Sequence, residues 1–387
     1  MTSIPSRAHA PSLSWFAPRE WSGAFGDLGT LVPFLLAYVA LASVPSVGLL
    51  FTFGVALIVS ALIYRTPFPV QPMKAIGAVA ATNVAAGASL GPEAFALAAL
   101  LTGVVWLVAG VSGLLQRLSR LVTRPLAFGI VLGLGIALML EAAKMMSTFW
   151  WVSAPALFGT YVLLARRRFP VMALLLLVGV CVGALSAPER FEGLLRASAT
   201  FTLPAFGLPP LGWAAVSVAA VILVLPQVPL TFGNAILAIT EENNRLFPQR
   251  PVTESRVAIS TGVMNIFAGL FGGVPMCHGA GGMAGHIRFG ARTGGAPLIL
   301  GSLLLLSALF ASEVVAAGLA LLSLPVLGVI LFVTGSQLAL GVCDGWGKKD
   351  ERFVLLVTAA LAVWNVGVAF LAGMAFQWLI RRKLVEL

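Results

Sequence analysis

Pro67-Phe68-Pro69-Val70-Gln71-Pro72-Met73-Lys74 and, in the second half of the chain, Gly272-Gly273-Val274-Pro275-Met276-Cys277-His278-Gly279-Ala280-Gly281-Gly282 interrupt two otherwise apolar stretches. Prolines at 67, 69 and 72 cannot lie inside a regular helix, because each removes an N–H and clashes with the preceding turn. The spacing therefore predicts a short extended segment followed by a helix starting near Met73 or Lys74. The second stretch repeats the pattern, an extended run into a helix start lined with glycines. Irregular backbone at membrane depth is tolerated only where it lines a cavity or is buried in protein. Two such breaks in matching places of two halves point to a substrate site.

The surrounding composition makes membrane depth the right frame. Of 387 residues, 59% are hydrophobic and 10% charged, against roughly 25% charged in soluble domains, and mean hydropathy is +1.00. Too few ionisable groups remain to coat a soluble globule, which excludes a soluble enzyme and a disordered chain. The three cysteines, Cys181, Cys277 and Cys343, lie in or beside apolar stretches and define no disulfide framework. The net charge of +10 does not indicate a nucleic-acid partner. The basic residues fall in clusters between apolar spans (Arg117, Arg120 and Arg124; Arg166 to Arg168; Lys348, Lys349 and Arg352; Arg381 to Lys383), as the positive-inside rule expects of cytoplasmic loops.

Spans of about 20 apolar residues divide the chain into an all-α polytopic membrane protein of about fourteen segments. The last apolar stretch, 353–380, counts as two segments broken at Trp364-Asn365-Val366-Gly367. Both termini are then cytoplasmic, and residues 1–20 carry no apolar signal core. Lys144, Arg190 and Arg196 fall outside, and Lys74 lies within a span. The polar stretch 187–210 separates seven spans from seven. Phe25-Gly26-Asp27-Leu28 recurs as Phe232-Gly233-Asn234-Ala235, and Pro72-Met73-Lys74 as Pro275-Met276-Cys277. An odd number of spans per repeat forces opposite orientations, so a 7+7 inverted repeat is expected, with broken helices in spans 3 and 10.

A helix N-terminus carries unpaired N–H groups and about half a positive charge, which suits an anion. Two of them meeting near the midplane suit a small oxyanion. Lys74 opposes the dipole of its own helix, which favours a nearby anion over a lysine that merely snorkels to the surface. The anion is expected to meet Lys74, the backbone of Ala75, Gly279 and Ala280, and the close backbone approach allowed at Gly281, with Asn234 beside it. Phe25, Asp27, Gln71, Met73, Cys277 and His278 of the same motifs complete the expected substrate-binding set. Asp27 is expected to pair with Lys74 in the empty site or to cap its helix. His278, taken as the histidine within a span, is either a hydrogen-bonded core residue or a substrate contact. Asp27 and His278 are the candidates for carrying protons. No second histidine or carboxylate stands at ligand spacing from His278, so no metal or cofactor is expected. Glu93, Glu141 and Glu313 are expected to be solvated at helix ends.

The three motifs Gly23-Ala24-Phe25-Gly26-Asp27-Leu28-Gly29-Thr30, Pro67 to Ile76 and Pro275 to Gly282 together resemble the molybdate-transporter family, a branch of the sulfate permease superfamily. The resemblance covers nearly the whole chain. It implies a core domain of spans 1–4 (22–120) and 8–11 (211–313), and a gate domain of spans 5–7 (121–187) and 12–14 (314–382). Around them lie cytoplasmic termini (1–21 and 383–387) and an extracytoplasmic linker (188–210), with substrate between the broken helices. It further implies molybdate as the partner, sulfate or tungstate as competing oxyanions, a lipid bilayer of the cell membrane as the setting, and a homodimer as an open possibility. Sulfate permeases usually carry a soluble C-terminal regulatory domain, and a chain stopping at Leu387 fits the molybdate branch. The expected activity is uptake by cation- or proton-coupled alternating access. A carrier of sulfate or another oxyanion is the alternative to this reading, followed by a passive anion channel and an intramembrane enzyme, the last disfavoured by the lack of a nucleophile pair or carboxylate dyad.

Overall fold

The structure is a computed structural model that describes residues 14–82, 90–115, 123–165, 171–342, 348–382 and 384. Arg117, Arg120, Arg166 to Arg168, Cys343 and Lys383, named above for topology or pairing, lie outside the described residues. The chain is overwhelmingly helical, with one two-stranded sheet among the described residues. By length and apolarity, five described helices can cross a bilayer: Ser46–Tyr64, Pro92–Ser112, Pro125–Ser147, Trp213–Leu246 and Gly295–Ala320. Two bent pairs raise the number to seven.

Helix boundaries follow local chemistry. Proline at the first turn opens Pro92–Ser112, Arg124–Ser147 and Leu324–Leu340, where its missing N–H costs nothing. Ser46–Tyr64 ends at Arg65, which takes a left-handed φ of 58°. Helical structure stops at Asn365, whose side chain accepts from Val368 N–H at 3.0 Å and caps the next helix, Val366–Arg381. Within 213–246, prolines 226 and 229 deprive the ladder of donors, and π-helical turns occupy 219–224 and 233–238.

Two buried clusters organise the packing. One, around Tyr38, Phe53, Trp106, Phe232 and Met276, joins elements between residues 24 and 115 to elements between 219 and 308. The other, around Leu126, Leu134, Leu138, Val326 and Ile330, is dominated by residues 126–175 and 322–370. Lipid supplies little hydrophobic drive between helices, so small residues let backbones approach closely. At the crossing of Ser46–Tyr64 with Gly295–Ala320, a Cβ on Gly54 would sit 2.9 Å from Gly301 O, and one on Gly301 2.8 Å from Gly54 O.

Three features were not visible in the sequence reading. The 187–210 stretch contains an amphipathic helix with no buried residue, Pro188–Arg196, bent 112° from the preceding one. Glu20 is completely buried, and its carboxylate accepts from Arg292 N–H at 2.9 Å and Ala296 N–H at 3.2 Å. It thereby caps the start of Gly295–Ala320, where negative charge is favourable. Glu141, expected in solvent, is 9% exposed and accepts from Lys144 Nζ at 3.2 Å, because its helix continues to Ser147.

The sheet joins the two broken stretches. Gln71–Pro72 pairs antiparallel with Met276–Cys277, Gln71 opposite Cys277 and Pro72 opposite Met276. Met73 N–H extends the ladder to Pro275 O at 3.0 Å. Buried Asn265 holds the outer edge: its Oδ1 accepts from Met276 N–H at 2.9 Å, and its Nδ2 donates to Met276 O at 2.6 Å. Asn265→Leu would strip both partners from a buried strand, at about 1–3 kcal/mol for each orphaned group. A markedly lower thermal midpoint in detergent is expected; an unchanged midpoint refutes the bracing role.

Candidate functional site

From the sheet the chain turns directly into two short helices, Lys74–Thr82 and Ala280–Arg288. Their first turns come together. A Cβ added to Gly281 would have Lys74 Nζ, 3.8 Å away, as its one neighbour within 4 Å among the described residues. A Cβ on Gly279 would collide with Gln71 Oε1 and stand 3.3 Å from Asn234 Nδ2. Lys74, Gln71, Asn234, Gly279 and Gly281 thus surround one spot. No side chain caps the 280–288 helix at Gly279, and Gly281 and Ala284 are exposed while Ala280 is half-buried. Phe25, 49% exposed, stands at the side of the chain that packs on this helix.

The two helix starts are not equivalent. Ala75 N–H, expected to meet the anion, donates instead to Gln227 Oε1 at 2.9 Å, and Gln227 Nε2 donates to Thr231 Oγ1 at 2.9 Å. Met73 is wholly buried, with its sulfur 3.9 Å from Thr231 Oγ1. Cys277 lies buried in the sheet. Among the described residues no side chain caps the 280–288 helix, so positive charge gathers at its start and at the Lys74 amine.

His278 is tied down at both ring nitrogens. Nδ1 donates to Pro69 O at 2.8 Å, and Nε2 accepts from Ser260 Oγ at 2.8 Å. The ring stands edge-on to Tyr64 and Phe68. It fastens the second sheet strand to the Pro67–Pro72 segment.

A second histidine, His286, which the sequence reading did not single out, lies on the 280–288 helix. It is completely buried. Its Nδ1 donates to Gly23 O at 2.8 Å, and its Nε2 stands 4.0 Å from Asp27 Oδ2. Asp27, 1% exposed, accepts from Gln71 Nε2 at its other oxygen. Behind the glycine-lined cradle lies a buried polar layer of His286, Asp27 and Gln71. Lys74 and Asp27 are near enough for each to feel the other's charge.

Fold and site define a class. The helical arrangement is that of SLC26-type transporters: the overall structure of SLC26A9 aligns with a TM-score of 0.66 at 14% identity, over 95% of this chain and 66% of that one. The murine Slc26a9 anion transporter in its inward-facing state gives 0.69 at 14% identity, over 97% and 70%. The transmembrane domain of the cyanobacterial bicarbonate transporter BicA gives 0.58 at 16%, over 92% and 98%. The chain is an integral, multi-pass membrane protein of transporter type.

It belongs to the molybdate transporter family. The family described as "Molybdate transporter of MFS superfamily" matches residues 19–138 and again 219–338. Molybdate transporter 2 of Arabidopsis thaliana is 28% identical over 420 residues, covering 95% of this chain and 88% of the relative. Molybdate transporter 1 of Chlamydomonas reinhardtii is 29% identical, over 94% and 90%.

Proposed function

We propose that this protein takes up molybdate across the cell membrane by alternating access, coupled to protons. The observation that carries the reading is the meeting of the Lys74 amine with the uncapped, glycine-lined start of the 280–288 helix. A tetrahedral dianion suits that combination of one charge-assisted donor and converging backbone N–H groups. Lys74, Asn234, Gly279, Ala280 and Gly281 are its contacts, and Phe25 stands at the opening.

Fourteen segments in a 7+7 inverted repeat account for the double family match at 19–138 and 219–338 and for the antiparallel pairing of two equivalent strands. The two buried clusters correspond to a core that holds the site and a gate against which it moves. The 74–82 helix packs on the gate helix Arg124–Ser147, whereas the 280–288 helix leaves Gly281, Ala284 and Arg288 exposed. That exposed side of the 280–288 helix is the open side of the site.

Coupling follows from charge. A dianion entering a negative interior faces about 4.6 kcal/mol per 100 mV, at about 2.3 kcal/mol for each charge. Each co-transported proton offsets about half of that electrical penalty and adds the pH gradient to the drive for accumulation. Asp27 is the carboxylate buried beside the cradle. His278, the other proton candidate, has both nitrogens engaged.

The test is labelled molybdate uptake into proteoliposomes with an imposed inward proton gradient. Accumulation above the external concentration, abolished by an uncoupler and competed by tungstate more strongly than by sulfate, is expected. Equal competition by sulfate would make this a general oxyanion carrier. Uptake that only equilibrates, whatever the gradient, would make it a channel.

A further inference from the structure

The buried layer behind the cradle has a chemistry of its own. An ionised Asp27 can only accept, so Gln71 must turn its NH2 towards it, as it does. That choice fixes the other end of the amide: Gln71 Oε1 then lies against Gly279, where a Cβ would collide with it. A carbonyl oxygen there presents its negative end to the spot where the anion binds. A protonated Asp27 reverses the logic, because its O–H donates to Oε1. The amide then turns over and its NH2 faces the cradle as a donor. The two orientations have nearly the same shape, so the exchange needs no backbone movement.

His286 supplies the proton. Its Nδ1 is committed to Gly23 O, which only accepts, so Nε2 is the nitrogen that gains and loses a proton. That nitrogen is buried, has no hydrogen-bond partner among the described residues, and stands 4.0 Å from Asp27 Oδ2. Two residues further along the same helix, Arg288 is exposed on the open side.

We infer that Asp27 and His286 form the proton-binding site of the carrier, and that reversal of the Gln71 amide transmits proton binding to the anion cradle. The inference rests on the transport reading above. In the step itself, a proton from water binds His286 Nε2. The Nε2–H bond then breaks as an O–H bond forms on Asp27, leaving a neutral imidazole and a neutral carboxyl. The carboxyl turns about χ2 to offer its O–H to Gln71.

Other charged groups near the pair are accounted for. Lys74 and Cys277 lie within electrostatic reach of Asp27. On the packed segment Pro18–Ala24, Glu20 is engaged with Arg292 N–H and Ala296 N–H, and Arg19 is exposed. On Ile239–Leu246, Glu242 is paired with Arg245 at 2.7 Å and Glu241 is exposed. Arg288 is the remaining charge on the histidine's own helix.

Molybdate affinity of the purified full chain, measured by calorimetry between pH 6 and pH 8, tests the coupling. Wild type is expected to weaken by about tenfold per pH unit where one proton is linked to binding. Asp27→Asn removes the carboxyl that takes up the proton, so its affinity should not change between pH 6 and pH 8. Gln71→Leu, with Asp27 intact, should bind weakly and also without slope. A wild-type slope in Asp27→Asn overturns the proton site, and one in Gln71→Leu overturns the amide relay. Difference infrared spectroscopy of the empty protein gives a second, molybdate-independent measurement. A protonated-carboxyl band should grow as pH falls, vanish in Asp27→Asn and shift its midpoint in His286→Gln. An unmoved midpoint removes His286. Failure of wild type to bind molybdate at any pH would count against the transport reading, while the infrared titration still decides the proton pair.

Discussion

Gly281→Val is expected to fold, insert into the membrane and lose molybdate binding by about a hundredfold or more. A Cβ at this position would meet open space, with Lys74 Nζ its one neighbour among the described residues at 3.8 Å. The empty protein therefore tolerates the side chain. The bound anion does not, because the isopropyl group occupies the volume between the Lys74 amine and the start of the 280–288 helix. Overpacking costs about 1–3 kcal/mol, and displacing a charged acceptor from its donors about 1.5–3 kcal/mol more. Gly279→Val should also lose binding, but by pushing Gln71 off Asp27, so its melting temperature should fall as well. Equilibrium binding and thermal unfolding on the two variants separate these effects. Wild-type affinity in Gly281→Val would mean that the glycine serves packing and that the anion binds elsewhere.

Lys74→Ala is the second large effect. The amine is the nearest cation to the cradle, and removing it deletes a charge-assisted hydrogen bond worth about 1.5–3 kcal/mol. Affinity should drop roughly 10- to 150-fold. Lys74→Arg should recover only part of it, because a planar fork on a longer stem does not occupy the position of a compact ammonium. Unchanged affinity in Lys74→Ala, in protein that is folded and inserted, removes the lysine from the site.

Much of this arrangement was legible in the sequence because prolines and glycines act locally. Pro67, Pro69 and Pro72 dictate extended backbone wherever they occur, and the helix start at Lys74 follows within a residue of the expected place. The break at Asn365 is local in the same way, since the residue caps its own helix. The residues that escaped notice act through distant partners. His286 looks like an ordinary helix residue until Gly23 and Asp27 are brought against it. Gln227 carried a faint signal, a polar side chain between Pro226 and Pro229 in an apolar span, but its bond to Ala75 N–H crosses 152 positions. Glu20 read as a cytoplasmic charge because nothing nearby reveals that it caps a helix beginning at Gly295. The π-helical turn that carries Asn234 likewise depends on how its helix packs.

The two-stranded sheet also constrains how the protein comes into being. Gln71 emerges from the ribosome long before Cys277, its partner in the ladder. Until the second strand arrives, the backbone from Pro67 to Met73 has few routes to satisfy its polar groups, and exposing them to lipid costs several kcal/mol for each group. The first half of the chain must therefore wait in a sheltered or partly wet setting while the chain as far as Cys277 is inserted. Completion of the binding site is a late event in biogenesis, and chains truncated before residue 275 should be retained by the insertion machinery or degraded.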